Sequence, residues 1–319
     1  MTLRWGLIGC GDVAERKGGP ALYSVSGSTL EAVMSRSLDK ARDFAARHGT
    51  QRYYDSLKEL FADDALNAIY IATPVYLHCE QAIAAAEAGK HILCEKPMAM
   101  NATQCQKMID ACRSNSVTLM IAYYRRFYPN IIKLKKLIDT GAIGQPLLAR
   151  VENHSPLHLT PENKSHWKFN PKLSGGGVLM DIGSHRLDLL QYLFGEVAEI
   201  NGRADRQFLS IDVDDSFTFE MKFKSGVRAI GSVCWHINRA SDILEVYGSE
   251  GKLTIDGLNS GKLLLESTKG NHKYQLPALQ CTHTGLVEDF LNHLRTGAPV
   301  NCSGAIGSKT NGLIEKIYQ

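Results

Sequence analysis

Leu3-Arg4-Trp5-Gly6-Leu7-Ile8-Gly9-Cys10-Gly11-Asp12-Val13-Ala14 opens the chain with a short apolar run that turns, through two glycines, into what reads as a helix. This is the G-x-G-x-x-A form of the nucleotide-binding turn. One glycine permits the tight turn, the next lets a pyrophosphate approach the backbone, and Ala14 is small enough for helix and strand to pack closely. The helix N-terminus then offers N–H groups and a positive dipole end to the phosphates. Gly9, Gly11, Asp12 and Val13 are therefore candidate cofactor-binding residues. Glycine turns also serve as plain punctuation, so the reading rests on the placement of this one directly after a strand.

Outward from that turn, residues 1–122 alternate apolar strands with helical stretches. Thr29 to Met34 reads as a strand, Leu38 to His48 as a helix, Ala68 to Ala72 as a strand, and Val75 to Ala88 as an alanine-rich helix closed by Gly89. His91 to Cys94, Ala102 to Ser114 and Val117 to Ala122 continue as strand, helix and strand. This rhythm specifies an α/β fold with a parallel, doubly wound sheet, a Rossmann domain whose ligands bind beyond the carboxyl ends of the strands. Beyond residue 150 the character changes. Glu199 to Arg206, Ser216 to Phe223, Arg228 to Ile237, Ile243 to Tyr247, Lys252 to Ile255 and Leu263 to Glu266 read as consecutive strands joined by short turns. They specify a second α/β domain, residues 123–319, built on a large, mostly antiparallel open sheet, with Thr282 to Arg295 and Ser308 to Tyr318 as its closing helices.

Composition bounds the function. The chain has 319 residues, enough for two domains with substantial cores, and a net charge of +3 gives no case for nucleic acid. No apolar run reaches membrane-spanning length, and the N-terminus enters a strand without a signal-like segment. The eight cysteines show no C-x-x-C pair and no zinc spacing, which points to reduced thiols, no metal centre and a cytoplasmic setting.

At the end of the second strand, where NAD-selective enzymes place a carboxylate for the ribose 2′-hydroxyl, stands Met34-Ser35-Arg36-Ser37. A serine hydroxyl and a guanidinium suit a 2′-phosphate, so Ser35 and Arg36 favour NADP over NAD. A solvent-facing Arg36 with no such role leaves NAD possible. Lys96 falls just after a strand and before Pro97, at the sheet edge where cofactors bind; there a cation hydrogen-bonds a reacting oxygen and stabilises alkoxide charge. Further on, Gly175-Gly176-Gly177-Val178-Leu179-Met180-Asp181-Ile182-Gly183-Ser184-His185 places a carboxylate one helical turn before an imidazole. His185 can take a proton near neutral pH, Asp181 can orient it, and the three glycines can let a backbone approach closely. Asp188 is a competing partner for His185 and is assigned a helix-surface or structural role. The commoner fates of these residue types are an exposed turn lysine and a packed helix histidine.

These motifs together resemble the Gfo/Idh/MocA family, the oxidoreductases named after glucose-fructose oxidoreductase and inositol dehydrogenase. The resemblance covers essentially the whole length. It is carried by Thr73-Pro74 with His78, by Ala88 to Pro97 with its Glu95-Lys96-Pro97 corner, by Arg126-Phe127 with Pro129, and by Trp167 ahead of the glycine triplet. It implies an NAD(P)-dependent dehydrogenase or reductase that moves a hydride between the nicotinamide and a secondary alcohol or ketone of a sugar, cyclitol or related small molecule. It further implies catalytic Lys96, Asp181 and His185, cofactor contacts at Thr73, Pro74, His78 and Glu95, and homo-oligomers formed through the second domain's sheet. Tyr124, Arg126, Trp167 and His185 are the expected substrate-binding residues; the alternatives are packing and surface positions of the helix that follows for Tyr124 and Arg126, and a domain-core anchor for Trp167. Many family members carry Asn where Tyr124 stands, so a sugar contact there is not inherited, and the bulk of Tyr124 favours a less polar carbonyl compound. Two other fates share these motifs: cleavage of a glycosidic bond by transient oxidation and elimination, and a non-catalytic dinucleotide-binding sensor, against which an intact Lys96, Asp181 and His185 argue.

Overall fold

A computed structural model describes residues 2–157 and 166–319. The first sheet has six parallel strands in the order β3-β2-β1-β4-β5-β6: β1 (Leu3–Ile8), β2 (Ser28–Met34), β3 (Arg52–Tyr54), β4 (Ala68–Ile71), β5 (His91–Cys94) and β6 (Leu119–Ile121). β4 and β6 are buried at every position, because helices cover both faces of the sheet. Trp5 shows how β1 is fixed: its indole donates to Ser28 Oγ at 2.9 Å and its ring stacks on Phe290. The helices α1 (Gly19–Ser24), α2 (Leu38–Arg47), α3 (Leu57–Phe61), α4 (His78–Glu87) and α5 (Ala102–Ser114) follow the strands in turn. Two begin on side-chain caps legible in the sequence, Ser37 accepting from the Lys40 amide and Asn101 from the Gln104 amide. The strand order reverses between β1 and β4. There the Gly9 turn lies against the next loop so closely that a Cβ on Gly9 would stand 2.8 Å from the Ala72 carbonyl oxygen.

The second sheet has eight strands, ordered β14-β13-β12-β11-β7-β10-β9-β8 and antiparallel except for the β10–β7 pair. They are β7 (Pro146–His154), β8 (Val197–Asp205), β9 (Ser216–Phe223), β10 (Arg228–Cys234), β11 (Ser241–Gly248), β12 (Gly251–Asp256), β13 (Lys262–Ser267) and β14 (Gly270–Gln275). With them go α6 (Pro129–Asp139), α7 (Pro171–Ser174) and α8 (Ser184–Phe194), followed by α9 (Thr284–Thr296) and α10 (Gly304–Tyr318). Both expected sheets are present. β7, the strand that joins the two antiparallel halves, was not anticipated, and neither were β3, β14 or α3.

The chain forms two compact units, residues 1–124 with 280–311 and residues 125–279 with 312–319. A linear division into 1–122 and 123–319 has no place for the return of 280–311, so α9 belongs to the nucleotide unit and does not close the second sheet. Packing explains the return. Phe290 of α9 stacks on Trp5, and Ile121 N donates to Cys302 O at 2.7 Å, extending the edge of the first sheet at β6.

Candidate active site

The phosphate turn is built from the end of β1. Gly9 has φ +97°, a left-handed conformation that favours glycine, and its N–H donates to Met34 O at 2.9 Å. A Cβ on Gly11 would meet nothing within 4 Å, so the backbone there is open to an approaching group. The following helical segment begins with Asp12 and Val13 and passes through a π turn, Ala14–Gly18, before α1. Ala14 is fully buried and a Cβ on Gly18 would collide with the Tyr70 hydroxyl, which is the close helix–strand packing the motif requires. Asp12 is exposed and paired with Arg16. Directly after β2, Ser35 is half-buried, and Arg36 is exposed with no ion pair among the described residues. An open glycine backbone beneath a helix start, with an unengaged guanidinium after β2, fits a dinucleotide.

The carboxyl end of β5 carries Glu95-Lys96-Pro97, with a cis bond before the proline. Glu95 is buried and its oxygens are engaged. Tyr70 Oη donates to Oε1 at 2.6 Å, His283 Nε2 donates to the same oxygen at 2.7 Å, and the Lys96 N–H donates to Oε2 at 3.3 Å. Burial alone pushes this carboxyl up. The His283 hydrogen bond and charge, the Tyr70 hydroxyl and the Lys96 charge outweigh it and hold the carboxyl at about 2. Glu95 is thus an ionised anchor for the backbone that presents Lys96. His78 is likewise a clamp: 1 % exposed, with Nδ1 3.0 Å from Pro97 O and Nε2 2.8 Å from Thr73 O, it ties the loop after β4 to the loop after β5. Neither ring nitrogen is left to meet a cofactor. Thr73 and Pro74 remain half-buried at the strand ends, with Thr73 Oγ1 donating to Gln81 Oε1 at 2.6 Å. Tyr124 packs its ring on His283, centroids 4.9 Å apart, and the Lys17 ammonium lies over the Tyr124 ring, 5.5 Å from its centroid.

In the second unit Asp181 falls in a π turn, Leu179–Gly183, and His185 is the second residue of α8. Asp181 is half-buried with Lys168 Nζ 3.5 Å from Oδ2, and His185 is 4 % exposed. The glycines before them do not act as a flexible approach. A Cβ on Gly176 would collide with the Tyr318 hydroxyl and one on Gly177 with the Asp214 carbonyl, so their smallness is consumed by packing inside this unit. Arg126, expected at the substrate, is instead 6 % exposed and forms a two-point pair with Asp188, Nε to Oδ2 at 2.8 Å and Nη2 to Oδ1 at 2.6 Å. Burial raises the Asp188 carboxyl and the guanidinium pulls it back. Asp188 is therefore structural and lies inside the fold, 1 % exposed, with no place on the helix surface. Trp167 is half-buried in a short 3-10 turn, its ring 5.6 Å from that of exposed His166.

The structure thus brings the Gly9 turn against Thr73, whose loop His78 ties to the loop of Glu95-Lys96-Pro97, while Glu95 and Tyr124 share His283 as a partner. Sequence reading missed Lys17, Tyr70 and His283 in the first unit and Asp214 and Tyr318 in the second. His283 stands 188 positions from its partner, and its one local sign is its place immediately before a helix.

Residues 3–123 match the oxidoreductase family with an NAD-binding Rossmann fold, and residues 131–254 match the GFO/IDH/MocA C-terminal domain. The chain is 36% identical over 259 residues to oxidoreductase P35 of Formosa agariphila, covering 79% of each chain. It is 32% identical to 1,5-anhydro-D-fructose reductase of Ensifer adhaerens, covering 89% of this chain and 86% of the relative. Among solved structures, the aldose-aldose oxidoreductase of Caulobacter crescentus superposes with a TM-score of 0.91 at 27% identity, over 100% of this chain and 97% of the other.

Proposed function

The chain belongs to the Gfo/Idh/MocA family of NAD(P)-dependent oxidoreductases, and from that membership we propose that it interconverts a secondary alcohol and a ketone on a sugar, cyclitol or related polyol. The observation that carries the reading is the anchored Glu95: a buried, ionised carboxylate with three donors, fixing the backbone of Lys96 at the carboxyl edge of β5. The nicotinamide, when bound, accepts or supplies the hydride. Lys96 donates a hydrogen bond to the substrate oxygen and stabilises negative charge on it. His185 takes the hydroxyl proton during oxidation and returns it during reduction, and Asp181 orients the imidazole. Gly9, Gly11 and Val13 hold the pyrophosphate. Tyr124 and Trp167 are the proposed substrate contacts.

The preference for NADP(H) over NAD(H) is part of the proposal and rests on exposed, unengaged Arg36 beside Ser35. So is a reducing, cytoplasmic setting, supported by eight cysteines none of which is disulfide-bonded. Association of copies through the second sheet is the third part. Its open face sets Ile230, 45% exposed, beside Arg150, which pairs with Glu152 and Glu245. A screen of sugars, cyclitols, dihydrodiols and dicarbonyls, each with NAD(H) and NADP(H) and followed by absorbance of the reduced nicotinamide, tests the reading. Turnover of a polyol with the cofactor changing redox state is the expected result. A co-purified nicotinamide that never turns over while a glycoside is cleaved would replace it with elimination chemistry.

A further inference from the structure

The start of the segment carrying Asp181 and His185 is held by a residue far along the chain. The first amides of a helix have no acceptor within it. Here Asp214 takes three in a row: its carboxylate accepts from Gly177 N at 2.7 Å and Leu179 N at 2.8 Å, and its carbonyl accepts from Val178 N at 2.9 Å. Tyr318 donates its hydroxyl to Asp214 Oδ1 at 2.7 Å. Gly176 and Gly177 leave the room this requires. The helical ladder then starts at once, Asp181 N donating to Gly177 O at 3.0 Å, and runs as a π turn through Leu179–Gly183 before α8.

We propose that Asp214 and Tyr318 form a clamp that sets the register of this π turn, and so act as positioning residues for Asp181 and His185. A π turn holds one more residue than an α turn and is maintained by its surroundings. Relaxing its N-terminal anchor to an α turn removes the extra residue and rotates Asp181 by about 100° relative to His185. The negative carboxylate also sits at the positive end of the helix, where it is stabilised. Tyr318 is 41% exposed while its hydroxyl end packs against Gly176, so the side chain supplies a hydrogen bond to Asp214 more than it fills a core. Burial and the Asp214 charge push the phenol well above its ordinary value, so it remains a donor throughout the working pH range.

The catalytic consequence rests on the reading of Asp181 and His185 above. Tyr318→Phe, which keeps the ring, and Asp214→Asn are compared with the wild type by amide exchange at Gly177 and Leu179, by cofactor Kd, and by kcat and KM for the best polyol of the screen. Both variants should exchange those amides about tenfold faster and lose about tenfold in kcat, with cofactor Kd unchanged because the phosphate turn lies in the other unit. Unchanged exchange in both would overturn the clamp itself. Faster exchange with wild-type kcat would reduce it to a structural contact. His185→Ala, measured alongside, separates the two layers. If it loses turnover while Tyr318→Phe does not, the positioning role fails; if it turns over normally, the reading of His185 fails and takes the catalytic consequence with it.

Discussion

Glu95→Gln removes one negative charge from a buried, fully engaged site while keeping the shape of the side chain. The carboxyl's ordinary value is 4.5 and the fold holds it at about 2. Each unit of that depression is about 1.4 kcal/mol, so ionised Glu95 adds about 3 kcal/mol to the stability of the wild type. Because the folded value is depressed, the contribution is complete above about pH 5, where the unfolded carboxyl is also ionised, and is lost as pH falls through 4.5 toward 2. Roughly 2 kcal/mol of it disappears between about pH 5.5 and about pH 3. Urea denaturation of wild type and Glu95→Gln at half-unit steps over that range reads the difference directly. The gap between the two stabilities should be flat above pH ~5 and shrink by about 2 kcal/mol toward pH ~3. Parallel curves would refute the argument, since they would mean that Tyr70 and His283 do not hold an ionised carboxylate.

Arg36→Ala should weaken NADP(H) roughly 10- to 100-fold and leave NAD(H) nearly unchanged in a fluorescence titration, because only the former carries the 2′-phosphate. Arg126→Leu leaves Asp188 buried without its guanidinium and should cost about 3 to 5 kcal/mol in urea denaturation, a loss that Arg126→Leu with Asp188→Leu largely recovers. Gly177→Ala forces a methyl group into the Asp214 carbonyl and should cost about 3 kcal/mol, visible as a lowered thermal midpoint; a variant as stable as wild type would contradict the packing described for the glycine triplet.

What could be read from the sequence was local. The Gly9 turn, the β5 and α5 boundaries and the placement of Lys96 after a strand follow from periodicity and caps acting within a few residues. β7 was missed because Arg150 and Glu152 make one of its faces read as a loop; that face lies on the open side of the sheet, where Glu245 on the neighbouring strand neutralises Arg150. The roles of Arg126, Glu95 and His78 depended on partners across the fold. Arg126 meets Asp188 over 62 positions and Glu95 meets His283 over 188, and no spacing rule reaches that far. The glycine triplet was recognised but its reason was not, because the carbonyl and hydroxyl that forbid a side chain there come from Asp214 and Tyr318.

The central claim is hydride exchange with a nicotinamide, assisted by Lys96. The most direct test uses a polyol substrate deuterated at the carbinol carbon, with mass analysis of the nicotinamide after single turnovers by wild type and Lys96→Ala. The account predicts deuterium on the reduced cofactor in the wild type, and the same label arriving about 10²- to 10⁴-fold more slowly in Lys96→Ala at unchanged cofactor affinity. A reduced cofactor free of deuterium, or transfer by Lys96→Ala at the wild-type rate, would contradict it.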